Sequence, residues 1–326
     1  MPIDVLCLRP EADFTRVDAP APSTLRVRYR APDDAALPEL MREAAALVIP
    51  AVGPKLAPAL FEGSRIKLVQ VTGAGLDRLD RDALMRLGIP VANVAGGSNS
   101  AVAEYAVTTA SLLLRRFAWA DAEIKNGNYS AFRARMVADN LAGLDGMLVG
   151  LVGFGAIGLA VAQAFHRMGC RICYADSETP NASTGAAIGA ESMSLDALLA
   201  AADVVSIHVP LIPATKGLIG ARELSLMKPG AILVQASRGG VVDEMALVDA
   251  LRAGSLGGAA VDVYATEPPA QDNPLLVLDG DAARRLLLTP HIAGVTRQSW
   301  TYLFRSAWQN VERVLVTGEA PLNRAY

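Results

Sequence analysis

The stretch that most restricts the possible folds is LVGLVGFGAIGLAVAQAFHRMG, residues 148–169. A short apolar run of strand character meets Gly153, Gly155 and Gly158, and these open an alanine-rich segment of helical character. The first glycine of such a unit permits a tight turn. The second lets the backbone approach a ligand, and the third lets helix and strand pack closely. A lone G-x-G-x-x-G says little. Here a second strand-like run, RICYAD, completes the unit and ends in Asp176, 18 residues after Gly158. The expectation is a dinucleotide site. Backbone amides at Gly155, Ala156 and Ile157, at the positive end of the helix, would meet the phosphates. Asp176 would accept hydrogen bonds from the adenosine ribose hydroxyls and repel a 2′-phosphate. No arginine follows it in DSETPN, so NAD is expected rather than NADP.

Short apolar runs alternate with helix-like stretches along the whole chain, which argues for parallel α/β sheets. The first hundred residues offer IDVLCL, LRVRY, ALVIP, KLVQVTG and PVANV; a second series offers MLVGLVG, RICYAD, DVVSIHVP, AILVQAS, GAAVDV and LLLTPH. An alanine-rich helix from Ser100 to about Arg116, with Ser98 or Ser100 as cap, separates the two series, and an amphipathic helix from about Ser299 to Val316 follows them. The segment SETPNASTGAAIGA reads as an exposed loop. With 326 residues, 52% of them apolar, the chain is long enough for two cores. The fold class expected is α/β, two parallel-sheet domains of Rossmann-like and flavodoxin-like type. The NAD-binding domain, 100–289, is inserted into a substrate domain made of 1–99 and 290–326.

Composition excludes several classes. A net charge of −3 and the sparse pair Arg133 and Arg135 give no basic stripe for nucleic acid. The amino terminus turns polar at Arg9 and Pro10, too early for a secretory signal, and no apolar run reaches membrane length. A soluble cytoplasmic protein is expected. Cys170 and Cys173 form a C-x-x-C, but Cys173 falls inside a strand-like run and no second ligand pair exists, so packing is the reading and no metal is expected.

Three charged residues stand at comparable strand ends. Arg238 follows ILVQAS, Glu267 follows AAVDVYAT, and His291 follows LLLTP, spaced by 29 and then 24 residues. In parallel sheets, ligands are handled at the carboxyl ends of strands. An arginine fork can hold a carboxylate by two points, a histidine can exchange a proton near neutrality, and a carboxylate beside it favours the protonated form. An arginine at the mouth of a buried strand is costly unless an anion meets it.

At this point the sequence resembles the D-isomer-specific 2-hydroxyacid dehydrogenase family, the NAD-dependent group that includes glyoxylate/hydroxypyruvate reductases, D-lactate dehydrogenases and D-3-phosphoglycerate dehydrogenases. The motifs VTGAGLDRLD, GIPVANVAGGSNSAVAEYAV, GLVGFGAIG, HVPLIPATKGLI, MKPGAILVQASRGGVVDE, GAAVDVYATEPP and LLLTPHIAGVT occur in family order across nearly the whole chain. The resemblance implies that Arg238 binds the substrate carboxylate and carbonyl, that His291 is the acid/base, and that Glu267 pairs with it. It also implies that the amides of Gly73, Ala74, Gly75 and Leu76 cradle the carboxylate, and that Asp262 contacts the nicotinamide carboxamide. Pro210, Thr215, Ala236, Ser237 and Gly294 would line the cofactor site together with His291. His208 would edge that site or simply sit satisfied at a strand end. His166 reads as surface, and Trp300, Tyr302, Phe304 and Trp308 read as core or subunit contacts.

Two alternatives compete. Formate dehydrogenases share this fold but carry glutamine where Glu267 stands. A dinucleotide-sensing corepressor would have no need of the complete Arg–Glu–His set. The chain stops at Tyr326 without a regulatory domain, and NVAGGSNS offers no arginine for a phosphate. Both points favour a small unphosphorylated acid such as glyoxylate, hydroxypyruvate or pyruvate over 3-phosphoglycerate, with a short-form D-3-phosphoglycerate dehydrogenase as the alternative. Residues 48–54, 73–76 and the last helix are the candidate side-chain pocket. A homodimer is expected, because the alanine-rich helix and the segment to about Leu144 carry more apolar surface than one subunit covers, and the resembling family pairs through this region.

Overall fold

Among the described residues ten of the twelve strands are three to five residues long, and most of these are apolar runs, the pattern expected where both faces of a sheet are covered. The computed structural model describes residues 2–178 and 181–326. It divides into two units, Met1–Ser98 with Val295–Tyr326, and Asn99–Gly294.

The first unit contains β1 (Ile3–Cys7), α1 (Glu11–Arg16), β2 (Leu25–Tyr29), α2 (Leu37–Glu43), β3 (Ala46–Ile49), a 3-10 turn (Pro58–Phe61), β4 (Leu68–Val71), α3 (Arg81–Arg86) and β5 (Val91–Ala92). Its strands are all parallel, in the order β2-β1-β3-β4-β5. Successive side chains point to opposite faces. Val5, Cys7, Ala46 and Val48 join one core with Phe14, Phe304 and Trp308, while Leu6, Leu47 and Ile49 join another with Met41, Phe61 and Leu84. The Phe14 ring lies 4.6 Å from that of Phe304 and 5.0 Å from that of Trp308. Phe304 and Trp308 are therefore core residues, whereas Tyr302 is exposed. Buried Gln70 accepts from Asn310 Nδ2 at 2.6 Å, which satisfies a polar pair in the core.

The second unit contains α4 (Asn99–Leu114), α5 (Phe117–Lys125), α6 (Tyr129–Ala138), β6 (Leu148–Val152), α7 (Ala156–Arg167), β7 (Arg171–Ala175), α8 (Ala182–Ala186) and β8 (Glu191–Ser192). It continues with α9 (Leu195–Ala201), β9 (Val204–Ile207), α10 (Ala221–Leu226), β10 (Ile232–Gln235), α11 (Glu244–Ala253), β11 (Gly258–Val261), α12 (Gly280–Ala283) and β12 (Leu286–Leu288). The last helix, α13 (Arg297–Leu315), returns to the first unit. The strand order is β12-β11-β10-β9-β6-β7-β8, again all parallel. Counted from β6, this is the dinucleotide-binding order with one further strand at the edge. The doubly wound α/β class read from the sequence, with the second unit inserted into the first, is the fold found.

Three local outcomes differ from the sequence reading. The alanine-rich helix α4 buries Ala103, Ala106 and Ala110 in the same core as Val161 and Phe165 of α7. Its apolar face is consumed within its own unit. Of SETPNASTGAAIGA, Thr179 and Pro180 lie outside the described residues; the rest is mostly exposed, as expected, but part of it forms α8, where Gly185 packs so closely on Phe154 that a Cβ there would fall 2.7 Å from the ring. The second unit also reaches Gly294, beyond the expected boundary at 289, since Asp262 holds the Ile292 and Ala293 amides at 2.8 Å each.

Cys7, Cys170 and Cys173 are free and buried, and burial pushes their thiols up to about 12, 11 and 11. Among the described residues no helix is long and apolar enough to cross a membrane.

Candidate functional site

The turn between β6 and α7 gives each glycine a separate physical reason. Gly153 adopts φ +97°, and a Cβ on it would lie 2.7 Å from the His208 carbonyl oxygen. A Cβ on Gly158 would lie 2.2 Å from the Gly153 oxygen, so helix and turn touch backbone to backbone. At Gly155 a Cβ would meet nothing within 4 Å, which leaves open space in front of the helix. Among the described residues no side chain caps α7, so the amides at its start, those of Ala156 and Ile157 among them, are not covered by a capping group. Asp176, just past β7, accepts from the Phe154 amide at 2.6 Å and from the Glu178 amide at 3.1 Å. Its carboxylate is thereby fixed beside the turn.

His208 follows β9. Its Nε2 lies 2.8 Å from Ser206 Oγ, while Nδ1 is buried with no hydrogen-bond partner among the described residues. Burial holds this imidazole well below its usual range, so it is neutral. The sequence offered a histidine edging the cofactor site or one satisfied at a strand end; with Nδ1 unpartnered among the described residues, this ring is only half satisfied. Pro210 is exposed, and Thr215 closes the loop after it by donating to the Pro210 carbonyl and accepting from the Ile212 amide at 2.9 Å. His166 lies exposed in the last turn of α7.

The three charged residues follow β10, β11 and β12, which are neighbours in the sheet. After β10, Ala236 is partly buried and Ser237 is buried, with Ser237 Oγ donating to Gln235 Oε1 at 2.8 Å. Gln235 donates to the Arg238 carbonyl at 2.9 Å, and Arg238 Nη1 donates to the Ser237 carbonyl at 2.8 Å. Gly239 is required because a Cβ there would fall 1.7 Å from the Tyr264 carbonyl oxygen; Gly240 takes φ +83°. The two glycines let the chain turn directly against the next loop.

That next loop carries Glu267. One of its oxygens accepts from the Tyr264 amide at 3.0 Å, and the other lies 2.7 Å from His291 Nδ1. Burial opposes charge on Glu267. The His291 hydrogen bond, the Tyr264 amide and the charges of His291 and Arg238 outweigh it, and the carboxyl is held below its usual range. Glu244, at the start of α11, clamps the same segment by accepting from the Ala265 amide at 2.6 Å and Asn273 Nδ2 at 2.7 Å.

His291 sits in the left-handed region at φ +54°, uncommon for a residue with a Cβ. Its amide donates to the Asp262 carbonyl at 2.8 Å. Asp262 is 1% exposed and organises this loop: it accepts from Thr289 Oγ1 at 2.6 Å and from the Ile292 and Ala293 amides. Burial nonetheless pushes its carboxyl up. In this arrangement Asp262 acts on the loop that bears His291, a role the sequence did not indicate. Gly294 ends the unit partly exposed. Thr289, Tyr264 and Tyr105 were not singled out from the sequence either; a threonine two residues before the strand-end histidine was the available signal.

In the first unit, Gly73, Ala74, Gly75 and Leu76 directly follow Thr72 at the end of β4. Gly73 packs on Ala51, where a Cβ would leave 2.9 Å. The Gly73 and Ala74 carbonyls accept from Val94 N at 3.0 Å and Asn93 Nδ2 at 2.8 Å. The four amides make no hydrogen bond among the described residues. A run of unpaired amides is an anion-binding arrangement.

Comparison with known proteins adds an independent line. The sequence profile of the D-isomer specific 2-hydroxyacid dehydrogenase NAD binding domain matches residues 107–293. The chain is 34% identical over 298 residues to a glyoxylate reductase of Aeropyrum pernix, covering 91% of this chain and 87% of that protein. It is 36% identical over 266 residues to a D-3-phosphoglycerate dehydrogenase of Archaeoglobus fulgidus, covering 80% of this chain and 48% of that protein. The chain thus spans about half the length of the phosphoglycerate dehydrogenases it matches. Among solved structures, the apo form of D-mandelate dehydrogenase from Rhodotorula graminis superposes with a TM-score of 0.82 at 27% identity, covering 100% of this chain and 98% of that one.

Proposed function

Because the chain belongs to the D-isomer-specific 2-hydroxyacid dehydrogenase family, we propose that it is an NAD-dependent oxidoreductase interconverting a small 2-oxo acid and the corresponding D-2-hydroxy acid. The observation that carries the reading is the 2.7 Å contact between His291 Nδ1 and the Glu267 carboxylate, in a set of adjacent strand-end loops that also holds Arg238.

The residues present fit a dinucleotide. Open space before Gly155, the uncapped start of α7 and the fixed carboxylate of Asp176 suit a pyrophosphate and a ribose respectively. The cofactor, when bound, would supply a hydride as NADH in reduction and accept one as NAD+ in oxidation. The protein's own residues do the rest. Arg238 grips the acid through its fork and stabilises charge developing on the carbonyl oxygen. With Nδ1 engaged by Glu267, His291 has Nε2 left to give a proton to that oxygen; in oxidation the neutral ring takes a proton back. Glu267, held below the usual carboxylate range, stays ionised and supports the imidazolium without accepting its proton. In the first unit, the unpaired amides of Gly73 to Leu76 are donors suited to a carboxylate.

The substrate class we favour is a small unphosphorylated 2-oxo acid such as glyoxylate, hydroxypyruvate or pyruvate. The absence of arginine from residues 93–100 and the relative named glyoxylate reductase support it. The phosphoglycerate dehydrogenase relatives make 3-phosphohydroxypyruvate the comparison to run. We also infer a homodimer, supported by the exposed Phe117, Ile124, Tyr129 and Val137 on α5 and α6.

The test is NADH consumption with a panel of these four acids, repeated with NADPH. Turnover of at least one unphosphorylated acid, with NADH clearly preferred, is expected because Asp176 would face the extra phosphate of NADPH. No turnover with any acid would overturn the reading.

A further inference from the structure

Tyr264 stands where the loops bearing Arg238, Glu267 and His291 meet. It is 7% exposed. Its amide donates to Glu267 Oε1 at 3.0 Å, its carbonyl abuts Gly239 with no room for a Cβ, and its hydroxyl donates to the Thr289 carbonyl at 3.1 Å. The Thr289 carbonyl also accepts the His291 amide at 3.1 Å. A second phenol closes on the same residue: Tyr105 on α4 lies 2.8 Å from Thr289 Oγ1. Because the single Thr289 hydroxyl proton goes to Asp262, Tyr105 is the donor in that contact.

We propose that Tyr264 is a positioning residue for the reaction, its phenol clamping Thr289 so that His291 keeps its left-handed backbone and presents Nδ1 to the carboxylate that the same tyrosine's amide holds. The inference rests on the acid/base role given above to His291. A left-handed backbone is unfavourable for a side chain with a Cβ and persists only where surrounding contacts over-determine it. Here those contacts are two phenols and a buried carboxylate. Burial, with the charges of Asp262, Glu267 and Glu244, pushes the Tyr264 phenol up, so it remains a hydrogen-bond donor at any pH at which the protein works.

Tyr264→Phe keeps the ring and removes one hydrogen bond. In the full-length protein kcat for reduction should fall roughly 5- to 50-fold, with KM and the Kd for NADH changed less than about twofold, the split expected for an interaction that matters in the transition state. In a His291→Gln background the same change should cause no further loss, because the two act as one unit. A readout independent of activity comes from the imidazole resonances. The chain has three histidines, so the His291 signals are those that vanish in His291→Gln. They should be sharp in the wild type and broadened or doubled in Tyr264→Phe, with His166 and His208 unchanged. Tyr105→Phe should broaden the same signals, which covers the case of a poorly folding Tyr264 variant. Wild-type kcat together with sharp His291 signals in Tyr264→Phe would overturn the proposal, as would a full additional loss in the His291→Gln background. An inactive wild type whose His291 signals still broaden in Tyr264→Phe would refute the proposed reaction and leave the positioning intact.

Discussion

At His291 the backbone conformation, φ +54°, costs of order 1–2 kcal/mol for a residue with a Cβ, and the protein spends it where a proton must be handled. The pairing with Glu267 has a defined pH sense. Glu267 is depressed from its ordinary value of 4.5. Its contribution to stability is therefore complete above that value and is lost as pH falls through the lower folded-state value. Across the neutral range it is a fixed negative charge hydrogen-bonded to His291 Nδ1. In Glu267→Gln that charge is gone, and the ring is held by a neutral hydrogen bond, roughly half as strong. Reductive kcat should then fall by roughly 10- to 100-fold with the Kd for NADH little changed. Wild-type kcat in Glu267→Gln would reduce Glu267 to a structural carboxylate. Arg238, Glu267 and His291 were legible because each is a charged residue directly after an apolar run. Tyr264, Thr289 and Tyr105 were not, since their meaning lies in hydrogen bonds between loops that are distant in sequence, and a tyrosine in a strand-like stretch reads as packing.

Among the elements, the β6–turn–α7 unit was the most readable, because three glycines at that spacing answer three different steric demands. Those demands can be separated. Gly158→Ala would drive a Cβ into the Gly153 carbonyl; overpacking of this kind costs about 1–3 kcal/mol, so Tm should fall. Gly155→Ala meets open space, so Tm should stay near wild type while NADH affinity drops by roughly tenfold or more, if that space receives the pyrophosphate. Thermal melts paired with NADH titrations check both; unchanged affinity in Gly155→Ala would remove the turn from cofactor binding. The strands were legible from near-continuous apolar runs of buried parallel type. Helix α8 and the two-residue β8 were not. Their glycine, serine and threonine content signals a loop, and α8 is held by the tertiary contact of Gly185 with Phe154.

For the whole molecule, the interruption of one parallel-sheet unit by another was readable from two series of strands separated by a long helix. Spare apolar surface was expected on the alanine-rich helix and the segment to about Leu144; α4 is largely consumed in its own core, whereas α5 and α6, inside that segment, expose Phe117, Ile124, Tyr129 and Val137, the last two 61% and 65% exposed. A dimer formed through them should scatter light as about twice 34.2 kDa, and Tyr129→Asp combined with Val137→Asp should shift it toward monomer; a wild-type monomer at micromolar concentration would contradict the assembly. The most direct test of NAD-coupled reduction of a 2-oxo acid is the fate of the transferred hydrogen. Hydroxypyruvate reduced with NADH carrying deuterium at both nicotinamide C4 positions should give a D-2-hydroxy acid carrying deuterium at C2, in amounts equal to the NADH consumed. A product of L configuration, or one without deuterium at C2, would contradict it.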